Sequence, residues 1–285
     1  MAFAVSHGVN LYYEVTGVGT PIVFVHEFGG DCRSWEAQVR YLSRFFQCIT
    51  FNARGYPPSD VPADASAYSQ KIFTRDIAVI LEHLGTEKAH IVGLSMGSFS
   101  TLMFGIEFPH MARSITLCGC GYGSIPDQRQ AWLDSNTAMA EKIEDDPIGT
   151  AEAYAAGPAR VQLRAKDPRG WKELLHTLKN LSPLGAALTL KGVQFGRPAV
   201  SELENELRAL DMPALIIVGD EDDPALEPGL YLKRQIRKAG LCVFPKTGHA
   251  VNTEEPMLFN QSLLEFFTAV DNDRWQARET ATISG

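Results

Sequence analysis

The sequence contains no long hydrophobic run and no concentration of basic residues. Of its 285 residues, 26 are Lys or Arg and 34 are Asp or Glu, which gives a formal net charge of -8. Because an acidic chain without a basic stripe binds phosphate backbones poorly, we expect no nucleic-acid partner. No stretch reaches the roughly 20 apolar residues of a membrane-spanning helix, and the first residues lack the pattern of a secretion signal. We therefore expect a cytoplasmic protein without a membrane partner.

Cysteine is also scarce. The five cysteines are Cys32, Cys48, Cys118, Cys120 and Cys242. An odd number of scattered cysteines in a chain of this size does not indicate a disulfide framework, so we predict reduced thiols. One C-x-C pair without a second pair nearby favours buried small side chains over a metal site. The sequence therefore predicts no metal site, and nothing in it calls for a cofactor.

Short apolar runs alternate with segments of helical spacing, a pattern typical of a mostly parallel sheet covered by helices. The runs PIVFVHEF, FQCITFN, AHIVGL, ARSITLCG, PALIIVG and LCVF predict buried strands, while FAV and NLYYEV predict an antiparallel edge. GLYLKRQIRKAG predicts a helix before LCVF. Helical segments without a convincing strand fill the stretch after Gly123. We therefore predict an α/β core over 1–123 and 208–270, a helical cap inserted at 124–207, and a polar, frayed tail at 271–285.

The stretch HIVGLSMGSFS places Ser95 between Gly93 and Gly97, directly after an apolar run and before a helical pattern. A strand, then G-x-S-x-G, then a helix is typical of a nucleophile elbow, a sharp turn that exposes the serine hydroxyl. The following helix would direct its first backbone N–H, that of Met96, at an oxyanion. The G-x-S-x-G motif alone is a weak signal, but its position between a strand and a helix makes Ser95 a candidate nucleophile.

A serine nucleophile needs a base, and a base needs an acid that orients it. His249 follows the last predicted strand and precedes the last helix, which would place it at the same sheet edge as Ser95. We expect structural or solvent roles for the other six histidines. The candidate acids follow another buried strand, in IIVGDEDD, and the spacing alone does not choose among them: Asp220, Glu221, Asp222 and Asp223.

These features resemble the α/β-hydrolase family over residues 1 to about 270. The resemblance includes the elbow, the G-x-x-D of Gly219 to Asp222, the Gly-His pair at His249 and the stretch ARGYPPS. It implies an eight-stranded α/β-hydrolase sheet and the order Ser95, Asp222, His249 for nucleophile, acid and base. It also implies that Phe28 supplies the second oxyanion N–H, in a loop anchored by His26. Glu27 departs from the family pattern, which usually has glycine there.

The resemblance leaves three classes of function open. The first is a hydrolase of small carboxylic esters or related acyl compounds, with an acyl-enzyme on Ser95. The second is a hydrolase of C–C bonds in diketone-type ring-cleavage products, and the third is a non-catalytic receptor for small molecules. Relatives with an aspartate nucleophile are disfavoured because position 95 is serine. Five cap residues are candidates for contacts with a small-molecule acyl substrate: Trp132, Met139, Tyr154, Trp171 and Phe195.

Overall fold

The computed structural model of the protein describes residues 1–277, and a single eight-stranded sheet organises the described part of the chain. The strands are β1 (Ala2–Ser6), β2 (Val9–Thr16), β3 (Pro21–Val25), β4 (Gln47–Phe51), β5 (Ala89–Leu94), β6 (Ala112–Cys118), β7 (Ala214–Gly219) and β8 (Ala239–Phe244). They lie in the order β1-β2-β4-β3-β5-β6-β7-β8, with β2 antiparallel to both of its neighbours and parallel pairing elsewhere. The predicted α/β fold and its mostly parallel sheet are confirmed.

Helices cover both faces of this sheet, so the inner strands are buried on both sides. Every residue of β5 and of β7 is buried, which explains why β7 is entirely apolar and why His90 is the only polar side chain in β5. The helices attached to the sheet are α1 (Glu36–Leu42), α2 (Gln70–His83), α3 (Met96–Glu107), α10 (Asp223–Gln235), α11 (Val251–Glu254) and α12 (Pro256–Asp271). Ile77 of α2 and Phe99 of α3 pack in one core cluster, and Phe259 and Phe266 of α12 pack in another.

The structure describes the whole segment between β6 and β7, and this segment forms only helices and turns. These helices are α4 (Pro126–Asp145), α5 (Pro147–Ala155), α6 (Val161–Lys166), α7 (Pro168–Lys179), α8 (Pro183–Thr189) and α9 (Glu204–Ala209). Four of them begin with proline, whose fixed φ suits the first helical position. Asp146, Asp167 and Ser182 each accept a backbone N–H at a helix start. No helix within residues 1–277 has the length and apolar composition needed to cross a membrane.

The predicted bounds of the last helix and strand before His249 were wrong. The helix α10 begins at Asp223, six residues before the predicted start, and β8 begins at Ala239 rather than at Leu241. Pro228 lies inside α10, and its ring packs against Gly121. A Cβ atom added at Gly121 would lie 2.4 Å from Cβ of Pro228. A proline at that position conceals the helix start from sequence patterns, because proline usually ends a helix.

The tail predicted at 271–285 is anchored over the part that the structure describes. Asp271 is the last residue of α12. The indole Nε1 of Trp275 donates a hydrogen bond to the carbonyl oxygen of Lys238 at 2.8 Å, and its ring packs edge-on against Phe266. The prediction of fraying is therefore wrong for this segment, and residues 278–285 lie outside the described residues.

Candidate active site

Ser95 occupies the turn between β5 and α3. Its φ of 55° and ψ of -113° form a strained conformation that non-glycine residues rarely adopt. A side chain at Gly97 would lie 2.2 Å from the carbonyl oxygen of Val25, and one at Gly93 would lie 2.2 Å from that of Gly97. Both positions therefore require glycine. The turn leaves Ser95 partly exposed between buried neighbours.

Asp222 and His249 form a buried pair at the same edge of the sheet. Nδ1 of His249 lies 2.8 Å from Oδ2 of Asp222. The backbone N–H of Ser95 donates to the carbonyl oxygen of Cys118 at 2.8 Å. Gly119, which follows Cys118, packs against the imidazole of His249, because a Cβ atom at Gly119 would lie 2.9 Å from Cε1 of His249. In residues 1–277 no hydrogen bond joins the Ser95 hydroxyl to His249, and catalytic hydrogen bonds often tighten only with substrate bound.

Tyr122, which follows β6, completes the surroundings of Asp222. Its hydroxyl donates a hydrogen bond to Oδ1 of Asp222, while its ring packs against the His249 ring with centroids 4.5 Å apart. Burial alone would raise the pKa of Asp222, but the His249 charge and the hydrogen bonds from His249 and Tyr122 outweigh it and lower that pKa. Burial and the Asp222 charge raise the pKa of Tyr122, which keeps its hydroxyl protonated. Both carboxylate oxygens are thus occupied by donors.

The backbone on each side of His249 is also fixed. Glu254 of α11 accepts the N–H groups of Gly248 at 2.7 Å and of Ala250 at 3.2 Å. The N–H of His249 donates to the carbonyl oxygen of Ala159, between α5 and α6, at 3.2 Å. The position of the histidine therefore depends on the helical segment between β6 and β7 as well as on the sheet.

Phe28 and Met96, the predicted oxyanion donors, lie at adjoining ends of β3 and α3. Met96 is the first residue of α3, so its backbone N–H has no acceptor within the helix. Phe28 follows β3 by three residues. The chain between them approaches α3 closely, because a Cβ atom added at Gly97 would lie 2.6 Å from the carbonyl oxygen of His26. Both residues are buried. Their proximity is consistent with one anion-binding site.

His26 holds the start of this loop. Its Nδ1 lies 2.7 Å from the carbonyl oxygen of Glu27, and its Nε2 lies 3.0 Å from the backbone N of Ala53. Since a carbonyl accepts and an amide donates, the ring is neutral, with its proton on Nδ1. Burial lowers the pKa of His26, in agreement with the neutral form. His26 therefore joins β3 to the segment after β4.

Glu27 forms a buried ion pair with Arg160, which precedes α6. Nη2 of Arg160 donates to Oε2 of Glu27, and the two side chains are 1% and 5% exposed. The same Nη2 lies 3.4 Å from the hydroxyl oxygen of Tyr154. Burial alone would lower the pKa of Arg160, but the charge of Glu27 and the hydrogen bonds raise it. The residue that departs from the family pattern thus connects the oxyanion loop to the helical segment.

Two of the five predicted substrate contacts line a cavity beside the oxyanion loop. Met139 and Tyr154 border a cavity of about 20 Å³ together with Phe28. The Tyr154 ring meets the Phe28 ring edge-on, with centroids 5.8 Å apart. The small volume leaves room for little more than one water molecule in this conformation.

The other three predicted contacts do not line that cavity. Trp132 packs over the guanidinium of Arg197 at 5.1 Å, and Nε1 of Trp171 donates to the carbonyl oxygen of Ala155 at 2.7 Å. Phe195 packs against the apolar cluster that includes Phe28. Their contact with substrate stays a prediction.

A larger groove of about 620 Å³ runs between α7 and the α1 and α11 regions of the core. Glu27 lines it on the oxyanion side, and Ala250 lines it beside the catalytic-histidine candidate. The groove therefore borders the residues that directly precede Phe28 and directly follow His249.

Sequence reasoning missed Tyr122, Arg160 and Glu254. Tyr122 had a signal, because residues that follow neighbouring parallel strands meet at one edge of the sheet, and Tyr122 follows β6 as Asp222 follows β7. Arg160 lies 133 residues from Glu27 along the chain, in a segment with no motif. Nothing in the sequence indicated that contact.

Comparisons with known proteins agree with this architecture. Residues 20–256 match a model of the α/β-hydrolase fold family. The chain is 27% identical to a 2-hydroxy-6-oxononadienedioate/2-hydroxy-6-oxononatrienedioate hydrolase of Paraburkholderia phymatum, covering 90% of this chain and 91% of that protein. It is 25% identical to 3-oxoadipate enol-lactonase 1 of Acinetobacter baylyi, covering 92% and 95%.

A similar solved structure is that of a thermophilic esterase from Thermogutta terrifontis. It is 25% identical to this chain, with a TM-score of 0.80 and coverage of 94% of this chain and 97% of that one. The chain belongs to the α/β-hydrolase fold family and is an α/β-hydrolase enzyme.

Proposed function

We propose that the protein is a serine hydrolase that cleaves a small carboxylic ester or related acyl substrate through an acyl-enzyme on Ser95. The observation that carries the proposal is the strained serine turn at the sheet edge where the buried pair of Asp222 and His249 lies. A nucleophile, a base and an orienting acid in this arrangement are sufficient for acyl transfer.

In the first half of the reaction, Nε2 of His249 takes the proton of the Ser95 hydroxyl while Oγ attacks the substrate carbonyl carbon. Asp222, hydrogen-bonded to Nδ1, orients the ring and stabilises the imidazolium. The imidazolium then returns the proton to the departing alcohol as the bond between the carbonyl carbon and the alcohol oxygen breaks. Water repeats these steps on the acyl-enzyme and releases the acid.

The negative oxygen formed in each half-reaction needs hydrogen-bond donors already in place. The backbone N–H groups of Phe28 and Met96 serve as these donors in our proposal, since they lie at adjoining ends of β3 and α3. The loss of one oxyanion donor typically costs about 100- to 1000-fold in turnover.

The relatives support hydrolysis and leave one alternative to test. The Paraburkholderia relative is named for a ring-cleavage-type dioate, while the Acinetobacter and Thermogutta relatives are a lactonase and an esterase. We favour acyl hydrolysis because C–C bond hydrolases of this family usually have a glycine- and proline-rich loop where this chain has HEFGGD, with Glu27 in a buried ion pair. A dienoate substrate belongs in the same assay.

The experiment compares the wild type and Ser95→Ala on p-nitrophenyl esters of graded length and on a diketone dienoate. Hydrolysis of short esters should fall by about a millionfold in Ser95→Ala, because triad nucleophiles account for losses of this order. A fluorophosphonate should add its mass to Ser95 in the wild type only.

Ester hydrolysis that survives in Ser95→Ala would remove the mechanism. Steady cleavage of the dienoate with poor turnover of every ester would favour C–C bond hydrolysis, and no turnover of either class would contradict both reactions.

A further inference from the structure

Arg160 carries an unused hydrogen-bond donor within the site region. Its Nη2 is occupied by Glu27 and by the hydroxyl of Tyr154, but its Nη1 is buried without a hydrogen-bond partner. Among buried side-chain atoms of residues 1–277 that lack a partner, it is the only nitrogen of a charged group. A buried donor without a partner costs desolvation free energy, so such a group often hydrogen-bonds to a ligand or a water molecule.

The position of Arg160 connects it to both halves of the proposed catalytic machinery. The preceding residue, Ala159, accepts the backbone N–H of His249, and Glu27 directly precedes the oxyanion donor Phe28. The charge of Arg160 reaches Asp222 and lowers the pKa of that carboxyl. Glu27 also lines the 620 Å³ groove, so a substrate in the groove would meet the ion pair from the side of Glu27.

Charge balance decides which acceptor suits this donor. Glu27 already neutralises Arg160, and two further buried carboxylates, Asp222 and Glu254, lie close enough to respond to the same guanidinium. A substrate carboxylate at Nη1 would place a second negative charge beside a guanidinium that Glu27 already neutralises, at a desolvation cost. A ketone, ether or ester oxygen accepts the hydrogen bond without that cost.

We propose that Arg160 is a substrate-binding residue whose Nη1 donates to an uncharged oxygen of the substrate, and that Glu27 makes the site prefer this oxygen to a carboxylate. The substrate class is then a neutral ester or lactone with a second oxygen acceptor near the scissile carbonyl. This inference rests on the proposed acyl hydrolysis and specifies its substrate.

The test uses three ethyl esters of similar acyl length, followed by titration of the acid released. Ethyl valerate has no second acceptor, ethyl levulinate has a ketone, and monoethyl succinate has a carboxylate in place of the methyl ketone. In the wild type, kcat/KM for the levulinate should exceed that for the valerate about tenfold, the usual scale of a hydrogen bond from a charged donor. The kcat/KM for ethyl levulinate should exceed that for monoethyl succinate by a larger factor.

Two variants separate the donor from its charge partner. Arg160→Lys keeps a cation beside Glu27 but removes the guanidinium fork, so the ratio of levulinate to valerate should fall to about one. Glu27→Gln frees the guanidinium charge, so monoethyl succinate should gain at least about tenfold relative to ethyl levulinate. Glu152→Gln is the matched control, because it removes one charge from an exposed acid on α5, and both ratios should persist.

A wild-type ratio near one, or a preference for the succinate, would overturn the proposal, as would ratios unchanged in both Arg160→Lys and Glu27→Gln. The wild-type ratios decide the matter even if a variant fails to fold by circular dichroism. Failure of the proposed function has a different signature, in which ethyl valerate and ethyl levulinate are not hydrolysed or their hydrolysis survives in Ser95→Ala.

Discussion

At the residue scale, three aspartates after β7 have different surroundings despite being near neighbours. Asp222 is 1% exposed and has donors on both carboxylate oxygens, from His249 and Tyr122. Asp220 is exposed and accepts the backbone N–H of Thr247 at 3.1 Å. Asp223 is exposed at the start of α10. The structure therefore assigns only one of them to the histidine.

The first prediction tests this assignment. Changing the orienting acid to its amide preserves shape but favours the wrong histidine tautomer, which costs about ten-thousandfold in a serine protease triad. We expect Asp222→Asn to lower kcat on short esters by about this factor at neutral pH. Asp220→Asn and Asp223→Asn should each retain most activity in the same assay.

Circular dichroism should show that all three amide variants fold. An inactive Asp220→Asn or Asp223→Asn beside an active Asp222→Asn would mean that the hydrogen bond between Asp222 and His249 has no catalytic role.

At the element scale, the elbow depends on how closely α3 approaches β3. Gly97 lies in the first turn of α3, and its Cα faces the carbonyl oxygens of Val25 and His26. Backbone contact of this kind brings Met96 and Phe28 together, so the same close approach builds the turn and the proposed oxyanion site. Gly229, within α10, has only ordinary van der Waals neighbours, the nearest at 3.5 Å.

The second prediction contrasts these two glycines. Gly97→Ala places a methyl group 2.2 Å from a backbone oxygen that cannot rotate away. We expect the free energy of unfolding to drop by about 3 kcal/mol or more, at the upper end of overpacking costs, together with loss of esterase activity. Gly229→Ala should raise it by up to about 1 kcal/mol, since alanine favours a helix interior. Urea denaturation measures both changes.

Equal urea midpoints for the two variants would contradict the proposed closeness of α3 to β3. Loss of stability in Gly229→Ala alone would instead indicate tighter packing of α10 against β7 than the structure describes.

At the scale of the whole molecule, the sequence predicts the elements that have a local pattern, and it does not predict contacts between segments that are distant along the chain. The strands were recognisable because parallel strands buried on both faces require largely apolar runs, as in β7. Ser95 and His249 were recognisable because each follows a strand and precedes a helix. The start of α10 was not, because Pro228 lies inside that helix. The contact of Glu27 with Arg160 joins two segments that no local pattern relates.

The third prediction concerns the pH dependence of global stability through His26, which joins the end of β3 to the segment after β4. Its Nε2 accepts the backbone N–H of Ala53, and protonation there would break that hydrogen bond. Burial lowers the pKa of His26 below its usual 6.5. The unfolded state then binds more protons between the two pKa values, so the free energy of unfolding falls as the pH falls below 6.5.

We expect His26 to lower the free energy of unfolding by up to about 1.4 kcal/mol when the pH falls from about 7.5 to about 5.5. This is the free energy of about one pH unit below the usual pKa for a difference of one bound proton. Urea titrations at both pH values measure the loss. His26→Gln should reduce the difference between the two pH values, whatever its effect on stability at either one. His110→Gln, at an exposed position between α3 and β6, is the matched control and should leave the difference unchanged. An undiminished pH dependence in His26→Gln would show that the hydrogen bond to Ala53 tolerates protonation, and that another buried group governs acid stability.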